Sequence, residues 1–144
     1  MKTIKKYELK KNPTDFDRVT ITSSSTAHEV IRKFYSDDIG IYESFFILLL
    51  DQSNTTIGYA KISQGGITGT VVDPMIVAKY AIESLSKGVI LAHNHPSGNL
   101  EASAADLKIT KRITEGLALF DCRVLDHIII TEQGYLSMLD KDLM

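Results

Sequence analysis

Two short runs of continuous apolar residues dominate the chain. Ser44 to Leu50 carries six in a row from Phe45, and Val89 to Ala92 carries four. Runs of this length, bounded by polar and glycine residues, read as strands buried on both faces of a sheet. Thr56 to Ser63 reads as a further strand, joined to the first across the polar turn Gln52 to Thr55 as an antiparallel hairpin. Helical spacing appears in three places. Val30, Ile31 and Phe34 form an apolar stripe behind Ser23-Ser24-Ser25, with Thr26 and Glu29 at capping-box spacing. Asp73-Pro74 is a helix start, with Asp as N-cap and Pro in the first turn, followed by Ile76, Val77, Tyr80, Ala81 and Leu85 and closed by Gly88. Ser103 and Asp106 again have capping-box spacing, ahead of Leu107, Ile109, Ile113, Leu117 and Leu119, which predicts the longest helix. Arg123 to Thr131 is an Ile-rich strand turning at Glu132-Gln133-Gly134 into Tyr135 to Ser137, and Met138 to Met144 forms a closing turn. Arg18 to Thr22 reads as a short strand, and Met1 to Lys11 as an edge strand or an arm. The order β-β-α-β-β-α-β-α-β-β predicts an α/β sandwich on a mixed sheet with helices covering it.

A length of 144 residues fits one domain, and 44% hydrophobic with 24% charged residues excludes disorder throughout. Sixteen Lys+Arg against 18 Asp+Glu give a net charge of -2 and a pI near 6.1. That balance argues against a strong non-specific nucleic-acid binder. Lys108, Lys111 and Arg112 on the third helix form a local basic cluster, which reads as a solvated face or as an attractor for an acidic partner. Cys122 is the sole cysteine, which excludes an internal disulfide and a Cys-based zinc finger; it reads as a small core residue. No apolar run approaches a membrane span, and MKTIKKYELKK lacks the apolar core of a signal peptide. The expectation is a cytoplasmic protein without a membrane partner.

Chemistry concentrates where the Val89 strand ends. His93 and His95 stand two residues apart, so on a strand both imidazoles point to one face. Zinc accepts imidazole nitrogen and carboxylate oxygen, and Asp106, eleven residues on in the first turn of the next helix, supplies a third ligand. Three ligands leave a position open for water, the plan of a catalytic site holding one zinc per chain. Asp106 also reads as an N3 carboxylate of the capping box. Ser103 reads as the N-cap, or as a hydrogen-bond donor to an oxyanion, and a hydroxyl can do both. Glu43 stands at the start of the first central strand, where a neighbouring His strand would bring it near the metal; Glu83, on a helix, is the weaker acid. His127, beside Asp126 in the Ile-rich strand, reads as a satisfied core histidine or as a residue orienting a ligand. His28 reads as a surface helix residue. The loop from Gly65-Gly66 to Gly69 is a candidate mobile edge.

His93-x-His95, seven residues, Ser103, two residues, Asp106, with an upstream Glu, resembles the JAMM (MPN+) zinc metalloprotease motif. HNHPSG, with VLDHIII at Val124 to Ile130, resembles the RadC branch of that superfamily. The resemblance runs from about Glu43 to Ser137. It implies a cytidine-deaminase-like three-layer α/β/α sandwich with one zinc. It also implies peptide or isopeptide hydrolysis, with water on the zinc attacking the amide, Glu43 as general base and Ser103 assisting. It divides the chain into an N-terminal extension, residues 1–40, packing on a single RadC-like domain, residues 41–144. RadC proteins carry a DNA-repair label and usually a helix-hairpin-helix region. The forty residues here show no such pattern, and Met75 follows Asp73-Pro74 where the family tends to have Arg. The alternative is a DNA-repair accessory, or a nucleic-acid- or protein-binding module, with a structural or vestigial zinc site.

Overall fold

The computed structural model describes residues 2–66 and 70–144. Its elements are α1 (Ser24–Arg32), a 3-10 turn (Asp37–Gly40), β1 (Glu43–Leu50), β2 (Thr56–Gly65), α2 (Pro74–Glu83), β3 (Gly88–Asn94), α3 (Ala104–Ala118), β4 (Arg123–Ile130) and β5 (Tyr135–Ser137). The strands form one mixed sheet in the order β2-β1-β3-β4-β5. β1 pairs antiparallel with both β2 and β3, whereas β3 and β4 run parallel, and α3 supplies the crossover that parallel pairing requires.

The alternation of side chains along the buried strands splits the core in two. Phe46, Leu48, Leu50, Ile90, Ala92, Ile128 and Ile130 face α1 through Ala27, Val30 and Ile31. Phe45, Ile47, Leu49, Val89 and Leu91 face α2 and α3 through Val77, Ala81, Ile113 and Leu117, with Cys122 buried among them. The result is a three-layer α/β/α sandwich on a mixed sheet. Among the described residues, no helix is long and apolar enough to cross a membrane.

Several local expectations need correction. Residues 2–11 form no regular element and lie exposed, and Arg18 to Thr22 contributes only a single bridge, Thr20 to Thr55. Residues 18–22 add no full strand because they lie against the β1–β2 turn, where only Asn54, Thr55 and Thr56 offer partners. The cap of α1 is Ser23, whose side chain accepts from the Thr26 N–H, in place of a Thr26–Glu29 box. α2 ends at Glu83, and Leu85, at φ 56°, makes the left-handed turn; Gly88 instead opens β3. Residues 67–69 of the glycine-rich loop lie outside the described residues.

Candidate metal centre

The odd-numbered residues of β3 face α2 and α3, which puts His93 and His95 beneath the start of α3. That start is fixed by both halves of a capping box. The Ser103 side chain accepts from the Asp106 N–H at 3.0 Å, and Asp106 Oδ2 accepts from the Ser103 N–H at 2.9 Å. The box aims the Asp106 carboxylate at the strand. His93 Nε2 lies 3.2 Å from Asp106 Oδ1, His95 Nε2 lies 3.3 Å from Asp106 Oδ2, and the two Nε2 atoms are 2.9 Å apart. Glu43, at the start of β1, joins them: Glu43, His93 and His95 each place one ligand atom within 4.8 Å of the others. Phe45 walls the site, its ring parallel to that of His93 at 5.9 Å.

The far nitrogens of both imidazoles are committed. His95 Nδ1 lies 2.6 Å from the Asn99 carbonyl, which can only accept, so Nδ1 carries the proton and Nε2 a lone pair. The turn that presents this carbonyl is closed by the Gly98 N–H donating to the His95 carbonyl at 3.0 Å, with Gly98 at φ 85°. His93 Nδ1 lies 2.7 Å from His127 Nε2; His127 Nδ1 lies 2.7 Å from Thr110 Oγ1, which donates its one proton to the Asp106 carbonyl at 2.6 Å. Thr110 therefore accepts from His127, and His127 accepts from His93. His93 Nε2 is left with a lone pair. With both rings neutral, two imidazole lone pairs and a carboxylate thus meet at one point. That donor set is two nitrogens and an oxygen, and it fits a zinc ion.

Without a metal, protons take up the same lone pairs. Burial alone would raise the Asp106 pKa, but hydrogen bonds with His93 and His95 outweigh it and hold the carboxyl well below its ordinary range. The hydrogen bond to Asp106 raises His95 against its own burial. His127 is fully enclosed, and burial, with the neighbouring His93, pushes its pKa well down, so it stays neutral.

The remaining residues separate from the centre. Asp126 is a structural anchor: it accepts from the His127 N–H, the Leu139 N–H and the Ser137 hydroxyl, pinning β5 and the turn after it. Glu83 ends α2 and pairs with Lys79 at 3.9 Å. His28 is half-buried and stacks on Tyr135 at 4.3 Å between ring centres. Lys108, Lys111 and Arg112 are exposed on α3. Thr110, Asn94 and the Asn99 carbonyl escape a reading of the sequence. Thr110 has a faint signal, four residues after Asp106 and so on the same helix face.

A cleft runs over the centre. On one side is a hollow of about 200 Å³ lined by Glu43, Phe45, Thr70, Val72, His93, Ala105, Asp106 and Ile109. On the other is a broader recess bordered by His95, Pro96, Ser97, Asn99, Glu101 and Ser103.

Fold and site together define a JAB-type domain. Residues 21–143 match the family model described as the RadC-like JAB domain, and the chain belongs to that family. It is 43% identical over 121 residues to a UPF0758 protein of Flavobacterium johnsoniae, covering 84% of this chain and 52% of that protein. A UPF0758 protein of Porphyromonas gingivalis is 36% identical over 128 residues, 88% of this chain and 56% of the relative. One from Fusobacterium nucleatum is 35% identical over 143 residues, 98% and 60% respectively. The chain spans about half the length of the curated relatives it matches.

Proposed function

We propose that the chain is a zinc-dependent amide hydrolase acting on a peptide or isopeptide bond. The observation that carries this reading is the convergence of His93 Nε2, His95 Nε2 and the Asp106 carboxylate within 3.3 Å, with Glu43 beside the His pair. His93, His95 and Asp106 would hold the ion. Zinc, when bound, supplies Lewis acidity, which brings the pKa of a water towards neutrality and polarises a carbonyl.

The chain's own residues do the rest. Glu43 takes a proton from the water and returns it to the departing amine nitrogen. Ser103 accepts from the Asp106 N–H through its lone pair, which leaves its hydroxyl proton free to donate to a developing oxyanion. Phe45 shields the His pair from solvent on one side. An extended substrate lies across the cluster, an apolar side chain entering the hollow at Phe45, Val72 and Ile109 and polar groups reaching the recess at Asn99 and Glu101.

The test is Glu43→Gln. This variant retains one zinc per chain by native mass spectrometry. Its hydrolysis of a mixed library of quenched fluorescent peptides and lysine-isopeptide conjugates falls by roughly 10²- to 10⁴-fold. Hydrolysis that survives the substitution removes Glu43 as the base. Wild-type protein that holds no zinc after reconstitution removes the metal reading.

A further inference from the structure

Between the two histidines, Asn94 points to the opposite face of the sheet and is fully buried. The β1–β3 ladder ends at Phe45 paired with His93, although β1 continues to Glu43 along β2. Where the ladder stops, the Asn94 carboxamide takes over. Its Oδ1 accepts from the Ser44 N–H at 2.7 Å, and its Nδ2 donates to the Ile39 carbonyl at 2.6 Å and the Tyr42 carbonyl at 2.7 Å. Tyr35, also buried, donates its hydroxyl to the Ser44 carbonyl at 2.8 Å. The backbone on both sides of Glu43 is thereby tied down, mostly to a residue of the strand that carries the metal ligands.

We propose that Asn94 is the positioning residue for Glu43. It acts through the backbone and sets where the Glu43 carboxylate stands relative to His93 and His95. The functional consequence rests on the reading of Glu43 as the base, but the geometric claim does not. The chemistry selects asparagine. The pocket presents one N–H and two carbonyls, so it needs one acceptor and two donors on a single planar group, which is the inventory of a carboxamide. Aspartate has nearly the same shape but no donor, and it would set a buried negative charge against two carbonyl oxygens. With the Asn94 clamp broken, the Glu43 end of β1 keeps its pairing to β2 and the Tyr35 hydrogen bond to Ser44.

The experiment compares wild type with Asn94→Asp and, as a variant that leaves β3 untouched, Tyr35→Phe. Three quantities are read. They are amide hydrogen exchange at Ser44 against Ile47 and Leu48, nuclear Overhauser contacts between the Glu43 side chain and the rings of His93 and His95, and zinc affinity by chelator competition. In Asn94→Asp, Ser44 exchange rises at least about tenfold while Ile47 and Leu48 change less than about twofold. The Glu43–imidazole contacts disappear, and zinc affinity stays within about threefold. Tyr35→Phe shows the same pattern, weaker. A general loss of stability would instead speed exchange at all three amides. The proposal is overturned by Glu43 contacts that persist once Ser44 has lost protection, by zinc affinity falling in step with them, or by Tyr35→Phe and Asn94→Asp both leaving Ser44 exchange unchanged. Exchange and contacts are read without metal. A wild-type protein that refuses zinc therefore fails the hydrolase reading and leaves this test able to decide.

Discussion

His93 Nδ1 stands 2.7 Å from His127 Nε2, two residues along a parallel register in which Leu91 is opposite His127. This contact joins two residues of the candidate centre, His93 and Asp106, through a closed path. It runs from the His93 ring to His127, on to Thr110, and from Thr110 to the backbone carbonyl of Asp106. Each link has one allowed donor direction, so the position of a hydroxyl proton on α3 dictates which nitrogen of His93 is free.

Thr110→Val tests that path. It keeps the shape of the side chain and removes the acceptor for His127 Nδ1–H. The other His127 tautomer then competes and sets an N–H against the His93 Nδ1–H. Zinc affinity is expected to fall about 10- to 100-fold, the usual cost of losing a partner that orients a metal-binding histidine. Thr110→Ser, which retains the hydroxyl, stays within about threefold of wild type. Chelator competition measures both, and imidazole nitrogen shifts of His127 report the tautomer. Equal affinities for the Val and Ser variants would remove Thr110 from the path.

Zinc and protons compete for the same lone pairs, and the sign follows from the shifts. The His95 pKa is raised, so its contribution to stability is full below its ordinary value of 6.5 and is lost as pH climbs through the raised value. The Asp106 pKa is lowered, so its contribution is present above its ordinary value of 3.8 and is lost as pH falls through the depressed one. In metal-free protein the ion-paired cluster is therefore most stabilising between those two ordinary values. Zinc-loaded protein behaves oppositely. The stabilisation conferred by zinc grows as pH rises and the competing proton leaves. Melting curves with and without zinc across mildly acid to neutral pH check this, as does proton release on zinc addition in weakly buffered solution. Zinc stabilisation that is flat with pH contradicts it.

Ser103→Ala separates capping from ligation. The substitution removes the acceptor for the Asp106 N–H but leaves the Ser103 backbone N–H that holds Asp106 Oδ2. Stability is expected to drop by about 1 kcal/mol in urea unfolding, the usual cost of losing an N-cap side chain. Zinc affinity stays within about threefold, since the carboxylate keeps its backbone tether. A tenfold loss of zinc would show that the cap aims the ligand as well as starting the helix.

The sequence by itself determined the parts whose cause is local. Residues 45–50 and 89–92 read as buried strands because each is a continuous apolar run of strand length, too short for a buried helix. Asp73-Pro74 and the Ser103–Asp106 pair had to start helices because each satisfies free N–H groups within three residues. His93 and His95 had to share a face because a strand repeats every two residues. The tertiary structure alone decided what depends on register between distant segments. His127 touches His93 because β4 lies parallel to β3 in one particular alignment. Asn94 reaches Ser44 because the β1–β3 ladder stops one pair short of it. Glu43 joins the His pair because β1 is the strand beside β3. Hydrogen bonds across a sheet are made between backbones that carry no residue identity, so beyond the β1–β2 hairpin the sequence does not say which strands are neighbours. Only the packing of α1 on one face and of α2 and α3 on the other selects that arrangement.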